Sequence, residues 1–150
     1  MKLISHRGNT NAIIPDSENK KEYIDNAIRL GYDVEVDIWM VDNMLFLGHD
    51  EPQYEVELNW LMERKTSLWI HTKNFQALNY LIDKGVRIFY HQQEEQTIIN
   101  NCNVIWSHDL DNTSDKSIIP LLSLESLRNN HQQYKHVYGI CSDFIEYIKQ

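Results

Sequence analysis

Short apolar runs separated by polar segments recur along this chain, and their spacing predicts strands alternating with helices. Runs of apolar and β-branched residues predict strands over residues 2–5, 33–38, 44–48, 67–71, 86–90, 104–106, 117–122 and 136–141. Apolar residues at helical spacing predict helices over residues 57–64, 75–84, 94–100, 124–130 and 144–149. An earlier helix is expected to start near Asp16 and Ser17, whose side chains can cap free N–H groups, and to end at Gly31.

Strands that alternate with helices are typical of a parallel sheet, and eight of them suggest a closed barrel. We expect a compact TIM-type (β/α)8 barrel with shortened or missing helices, because the chain has only 150 residues. Such barrels typically need about 250 residues. The connections from the second strand to the third and from the sixth to the seventh should therefore lack helices. Pro120 argues against a central position for the seventh strand. An incomplete or distorted barrel is the alternative.

The length and the charge of the chain limit its function. Residues 1–150 form one expected domain, and a net charge of −8 argues against binding to nucleic acid or to anionic membrane surfaces. No apolar run reaches the roughly 20 residues of a membrane span, and no signal peptide is expected. Cys102 and Cys141 have no metal-site spacing and suit reduced thiols, so a cytoplasmic location is predicted. A short barrel would leave apolar flanks uncovered, which makes a homodimer plausible.

Two carboxylates stand two residues apart in an otherwise apolar strand. Side chains alternate between the faces of a strand, so Glu35 and Asp37 should share one face. Like charges on a desolvated face repel, and they persist most simply when a cation lies between them. The next strand ends at His49 and Asp50, so acidic and imidazole groups arrive at neighbouring strand ends.

Polar or ionisable residues end nearly every predicted strand. They are His6, Glu35 with Asp37, His49, His71 with Lys73, His91, His108 with Asp109, and Asp143. Active sites of (β/α)8 barrels lie where the carboxyl ends of the strands converge. We therefore expect these side chains to meet at one rim and to form the functional site.

Four motifs, in this order, resemble the opening of the glycerophosphodiester phosphodiesterase family. They are His6-Arg7-Gly8, Pro15 with Glu18-Asn19, Glu35-Val36-Asp37 and Gly48-His49-Asp50. Residues 69–74 and 139–143 resemble the fourth and last strands of that family more loosely. The resemblance implies a phosphoric diester hydrolase that cleaves a small-molecule, glycerophosphodiester-like substrate at the mouth of a barrel.

The resemblance also implies a role for each residue of the site. His6 and His49 would be the acid and base, which suits imidazoles, since these can differ in protonation at neutral pH. Glu35 and Asp37 would hold a divalent cation, with Mg²⁺ preferred and Ca²⁺ or Mn²⁺ also suitable for oxygen ligands. Arg7 and Lys73 would bind the phosphate.

His71 departs from the family pattern, which usually places a third acidic metal ligand at this position. The imidazole could contact substrate, could favour Mn²⁺ or Zn²⁺ over Mg²⁺, or could accompany a loss of metal binding. Alternatively, Asp50 or another acid could take over as the third ligand. A non-catalytic module that binds phosphate or a sugar phosphate on the same barrel is therefore the main alternative. A second alternative is a transition-metal binding protein built from the strand-end histidines His49, His71, His91 and His108.

Overall fold

The computed structural model describes residues 1–149, which form ten strands and five helices. In chain order these are β1 (Lys2–His6), α1 (Lys21–Arg29), β2 (Asp33–Val41), β3 (Met44–Leu47), β4 (Tyr54–Val56), α2 (Leu58–Glu63), β5 (Leu68–Thr72), α3 (Phe75–Leu81), β6 (Ile88–Phe89), β7 (Gln96–Ile99), β8 (Val104–Ser107), β9 (Ser117–Pro120), α4 (Leu124–Asn130), β10 (Gly139–Ser142) and α5 (Glu146–Lys149). Each of the eight predicted strands is present, but two further strands, β4 and β7, are new.

All ten strands belong to one curled, mixed sheet, so the expectation of a complete (β/α)8 barrel is wrong. The main path of the sheet runs β4-β3-β2-β1-β10-β9-β8-β7, while β5 pairs with β2 and with β6. The ladders that join β1, β2, β5, β6, β8, β9 and β10 are parallel. The ladders of β3 with its neighbours and of β7 with β8 are antiparallel. The architecture is a half-barrel with short helices.

The sheet stays open because β6 is too short to continue it. This strand has two residues, and Asn100 satisfies the backbone of one of them: the Ile88 N–H donates to Asn100 Oδ1 at 2.8 Å and the Asn100 N–H donates to Ile88 O at 3.0 Å. Among the residues that the structure describes, no strand ladder links β6 to β7.

The predicted helix over residues 94–100 is wrong, because this segment contains strand β7 in a hairpin with β8. Thr97, Ile98 and Ile99 are β-branched and favour extended backbone. The turn that follows contains Asn101 and Asn103, both with positive φ, a conformation that asparagine tolerates better than most residues. Local turn chemistry and β-branching therefore outweigh the weak helical spacing.

Two expected helix-free connections are confirmed. Asp42 and Asn43 join β2 to β3 in a tight hairpin. Both residues have positive φ (+50° and +62°), as the two central residues of such a turn require. The segment between β8 and β9 also has no helix. Pro120 is the last residue of β9, which lies between β8 and β10, so the inference against a central strand is wrong. A proline at the end of a strand removes little of its ladder.

Alternation along β2 assigns its two faces to different surroundings. Val34, Val36 and Ile38 are fully buried against the apolar sides of α1, α2 and α3. Glu35 and Asp37 point the other way, toward the inner side of the curl, as the two-residue spacing predicts. Burial of each aliphatic side chain contributes about 1.5–3 kcal/mol, which helps to hold the two carboxylates where they are.

Within residues 1–149, every helix is too short or too polar to cross a lipid bilayer. Cys102 and Cys141 are free thiols, the first half-buried and the second buried.

Candidate functional site

A cavity of about 180 Å³ on the inner side of the curl brings most of the predicted site residues together. It is lined by His6, Arg7, Glu35, Asp37, His49, His71, Phe89, His91, Trp106, His108, Pro120 and Leu122. Lys73 does not line the cavity, but its Nζ lies 3.7 Å from Asp37 Oδ1. Of the other strand-end residues, Asp109 caps its own loop by accepting hydrogen bonds from the backbone of residues 111 and 112.

Glu35 and Asp37 form a buried carboxylate pair at the floor of this cavity. Their side chains are 3% and 1% exposed, and Glu35 Oε2 and Asp37 Oδ1 accept no hydrogen bond from the described residues. Burial and the charge of Asp37 raise the pKa of Glu35 to about 7. Unsatisfied buried carboxylate oxygens are costly, and they mark a position where positive charge would be favourable.

Three basic side chains lie close to Asp37. Arg7 Nε lies 3.1 Å from Asp37 Oδ2 and His71 Nδ1 lies 3.2 Å from Asp37 Oδ1. Burial alone would raise the pKa of Asp37, but His71, Arg7 and Lys73 lower it below the ordinary range. Asp37 is therefore the ionised member of the pair, whereas Glu35 lacks enough neighbouring positive charge.

Asn19 holds Asp37 with two hydrogen bonds, one to its carboxylate and one from its backbone N–H. Its Nδ2 donates to Asp37 Oδ2 at 3.0 Å, and its Oδ1 accepts from the Asp37 N–H at 3.0 Å. Asn19 is buried and has a φ of +60°, which asparagine tolerates better than most residues. Its own N–H donates to the carbonyl of Arg7, another residue with positive φ (+56°). This loop therefore aims both Arg7 and Asn19 at the same carboxylate.

His6 is oriented by Asp143, at the other end of the chain. His6 Nδ1 lies 2.8 Å from Asp143 Oδ1, and His6 Nε2 lies 3.8 Å from Glu35 Oε2. Asn9 Nδ2 bridges Asp143 to Glu18, with both donor distances at 2.8 Å. Burial disfavours the charged ring, but the hydrogen bond with Asp143 and the charges of Glu35 and Asp143 outweigh it and raise the pKa of His6.

His49 reaches the cavity from a constrained turn after β3. Gly48 has a φ of +153°, and a Cβ atom there would lie 2.1 Å from the Glu51 carbonyl, so only glycine fits. Asp50 Oδ1 lies 2.8 Å from His49 Nδ1 and so can orient this ring. Burial, together with the charges of Arg7 and Lys73, lowers the pKa of His49. The pKa values of the two candidate acid–base histidines are thus shifted in opposite directions, that of His6 upward and that of His49 downward.

His71 joins the carboxylate pair to form a three-residue set that fits a metal ion. Donor atoms of Glu35, Asp37 and His71 all lie within 4.8 Å of one another. The two carboxylates supply hard oxygen donors, and the imidazole supplies a nitrogen donor. Phe89 stacks on His71 at 4.9 Å and His91 stacks on it at 4.5 Å, with interplanar angles of 5° and 2°. The stack restrains the ring whose Nδ1 faces the carboxylates.

The same stack disfavours a transition-metal site made of histidines alone. The donor lone pairs of imidazole lie in the ring plane, so the parallel rings of His71 and His91 cannot both direct lone pairs at one ion. Burial and nearby His71 and His108 lower the pKa of His91 to about 4, which keeps this ring neutral in the stack. Trp106 Nε1 donates to His108 Nε2 at 3.2 Å, so that nitrogen is also occupied.

Sequence reasoning gave no individual role to Asn9, Glu18, Asn19 or Asp143. The last three fall within the segments that resemble the phosphodiesterase family, so the motif marked their neighbourhood. Their hydrogen bonds, however, join residues up to 137 positions apart. His131 and His136 lie outside the cavity lining.

Comparisons of this chain with protein-family models, with curated proteins and with solved structures found no match. The resemblance to glycerophosphodiester phosphodiesterases therefore depends on the sequence motifs alone.

Proposed function

We propose that this protein is a metal-dependent phosphodiester hydrolase that acts on a glycerophosphodiester-like substrate. The observation that carries the proposal is a pair of imidazoles, His6 and His49, that line one cavity with a buried carboxylate pair and have oppositely shifted pKa values. Environments that separate the pKa values of two titratable groups suit one to act as an acid and the other as a base.

In the proposed reaction, His49 is the base and His6 is the acid. Neutral His49 takes the proton of the attacking oxygen, which belongs to water or to a neighbouring hydroxyl of the substrate. The new P–O bond forms as the bond to the departing alcohol breaks, and protonated His6 gives its proton to that alcohol. Attack by a substrate hydroxyl would give a cyclic phosphate that water then opens. Asp143 keeps the His6 ring in position throughout, because it holds Nδ1.

Glu35, Asp37 and His71 would hold the divalent cation. The cation would supply charge stabilisation for a non-bridging phosphate oxygen. Two carboxylates suit Mg²⁺ or Ca²⁺, and the imidazole of His71 favours Mn²⁺ within the same range of ions. Arg7, on the cavity wall, and Lys73, beside Asp37, add the positive charge that an acidic protein needs to receive an anionic substrate.

The alternative is a module that binds phosphate or a sugar phosphate without turnover. The observation that favours it is His71 at the position where a third carboxylate was expected, beside a Glu35 that lacks full charge compensation. Under either function we propose a cytoplasmic location, on the basis of the free thiols, and a homodimer as the assembly.

The test is a steady-state assay of a panel of phosphodiesters with Mg²⁺, Mn²⁺ or Ca²⁺. We expect His6→Ala and His49→Ala each to lower kcat by roughly 10²–10⁴-fold, the usual contribution of a general acid or base. His136→Ala is the matched control, since His136 is exposed, contacts Thr113 and does not line the cavity. Equal rates for the wild type and both cavity variants would refute the proposal, and phosphate binding without turnover would select the binding module.

A further inference from the structure

Two imidazoles to which the proposed reaction gives no role, those of His91 and His108, also line the cavity. His91 follows β6 and His108 follows β8. Their ring centroids lie 5.1 Å apart with an interplanar angle of 57°, so the rings are neighbours that do not stack face to face. The backbone N–H of His108 donates to the carbonyl of Glu95 at 2.7 Å. This hydrogen bond joins the loops that carry the two imidazoles and restrains their spacing.

Trp106 determines which nitrogen of the His108 ring carries the proton. An indole N–H can only donate, and Trp106 Nε1 donates to His108 Nε2 at 3.2 Å. His108 Nε2 therefore bears a lone pair, and the proton of the neutral ring is on Nδ1. Within residues 1–149, His108 Nδ1 forms no hydrogen bond. It is a donor without an acceptor.

The ring of His91 supplies the acceptor that the His108 ring lacks. It contacts His71 by stacking and His108 at a tilt, but in the described part of the chain neither of its nitrogens forms a hydrogen bond. Nearby polar groups are satisfied elsewhere, since Gln92 Nε2 donates to Tyr90 Oη and the Gln92 N–H donates to Glu94 Oε2, both at 2.8 Å. A neutral imidazole has one donor and one acceptor nitrogen, so His91 can accept a hydrogen bond.

A donor and an acceptor on adjacent rings match a hydroxyl group, which both accepts and donates hydrogen bonds. A carboxylate only accepts and an ammonium only donates, so either would leave one of the two imidazoles without a suitable partner. Pro120 and Leu122, both half-buried, also line the cavity and offer carbon atoms to the C–H groups of an alcohol. The lining therefore suits a short alcohol that carries a hydroxyl group.

The size of the cavity limits the occupant to a small group. Its volume of about 180 Å³ lies below the roughly 300–1,000 Å³ of pockets that take drug-sized ligands. A second cavity of about 260 Å³ shares Arg7 and His49 with the first. The other alcohol of the diester can extend into this second cavity, so only one short alcohol has to fit beside His91 and His108.

We infer that His91 and His108 form a hydroxyl-binding subsite that determines which alcohol is accepted on this side of the phosphate. The hydroxyl oxygen accepts a hydrogen bond from His108 Nδ1, and the hydroxyl proton is donated to His91. The two imidazoles determine specificity and take no part in proton transfer to the reacting oxygens. This inference rests on the proposed function, because it requires the phosphate to lie beside Arg7 and the metal-ligating residues.

Calorimetric titration of the whole protein with Mn²⁺ present tests the subsite without turnover. The probes are inorganic phosphate, glycerol 1-phosphate, and propyl phosphate, which has the same carbon chain without hydroxyl groups. We expect glycerol 1-phosphate to bind about tenfold tighter than propyl phosphate, because it gains two hydrogen bonds of ordinary net strength. His91→Phe and His108→Ala should each remove most of this preference and leave the affinity for inorganic phosphate unchanged.

His91→Phe separates hydrogen bonding from packing, because it removes both nitrogens and keeps a flat ring against His71. The affinity for Mn²⁺ should therefore equal that of the wild type. His108 is exposed, so the fold should tolerate alanine there. His136→Phe is the matched control, since His136 is exposed and does not line the cavity, and it should keep the preference for glycerol 1-phosphate.

Three results would contradict the subsite. Equal affinities of the wild type for the two esters, or a preference that survives both cavity variants, would overturn the inference and leave the proposed function intact. Loss of inorganic phosphate binding in His91→Phe would also overturn it, because the ring would then act by packing against His71. Failure of all three probes to bind to the wild type would overturn both the inference and the proposed function.

Discussion

Asn19 should be one of the most sensitive positions in the molecule, although it contacts no proposed reacting atom. Replacement of Asn19 by glycine keeps the backbone at its φ of +60° without strain and removes both hydrogen bonds to Asp37. The bond to the ionised carboxylate is worth about 1.5–3 kcal/mol. The Asp37 N–H, buried and left without an acceptor, costs about a further 1–3 kcal/mol. We expect Asn19→Gly to lower the free energy of unfolding by roughly 2.5–6 kcal/mol.

Asn19→Asp sharpens the same test, because it keeps the acceptor and replaces the donor by a second carboxylate about 3.0 Å from Asp37 Oδ2. An uncompensated buried charge costs about 3–5 kcal/mol. This loss should shrink as the pH falls, since a protonated carboxyl group at position 19 can again donate to Asp37.

Urea denaturation followed by circular dichroism measures these losses, with Asn103→Gly as the control. Asn103 also has positive φ (+52°) but is exposed, so its replacement should change the free energy of unfolding by no more than about 0.5 kcal/mol. A similar, small effect of Asn19→Gly and Asn103→Gly would refute the claim that Asn19 holds the Asp37 carboxylate.

Two further predictions concern His71 and His6. Electron paramagnetic resonance of the Mn²⁺ complex should show coupling to a directly bound imidazole nitrogen, and His71→Asp should remove it and shift the binding preference toward Mg²⁺. The same nitrogen signal in wild type and variant would exclude His71 as a ligand. Asp143→Asn should lower the pKa of His6 in an NMR titration of its ring, because the neutral amide no longer stabilises the imidazolium. A raised pKa in the folded protein adds stability below pH 6.5 that is lost as the pH rises through the folded value. The variant should therefore lose less stability than the wild type as the pH rises from 6.5 through the folded pKa of His6. Identical His6 titration curves in the variant and the wild type would contradict the role of Asp143.

The sequence predicts the strands better than it predicts how they associate. All eight predicted strands exist, because β-branched runs bounded by turn residues are a local signal. Periodicity wrongly predicts a helix where β7 lies, and it gives no signal for β4, which has only three residues. Closure of the sheet depends on pairing between distant strands. No local pattern shows that the Ile88 N–H would donate to the side chain of Asn100 instead of to a neighbouring strand. Hydrophobic periodicity therefore could not determine whether the sheet closes into a complete barrel.

The candidate site divides in the same way. The two-residue spacing of Glu35 and Asp37 determined by itself that they share a face, since side chains alternate along any strand. Tertiary structure alone decided which groups surround the two carboxylates. Asn19 donates a hydrogen bond to Asp37, and Asp143 orients His6 although 137 positions separate them in sequence. Phe89 and His91 stack on the ring of His71 and restrain it. It also decided the chemical state of the pair, because the pKa of a carboxyl group depends on burial and on neighbouring charge, and both arise only when distant strands pack together.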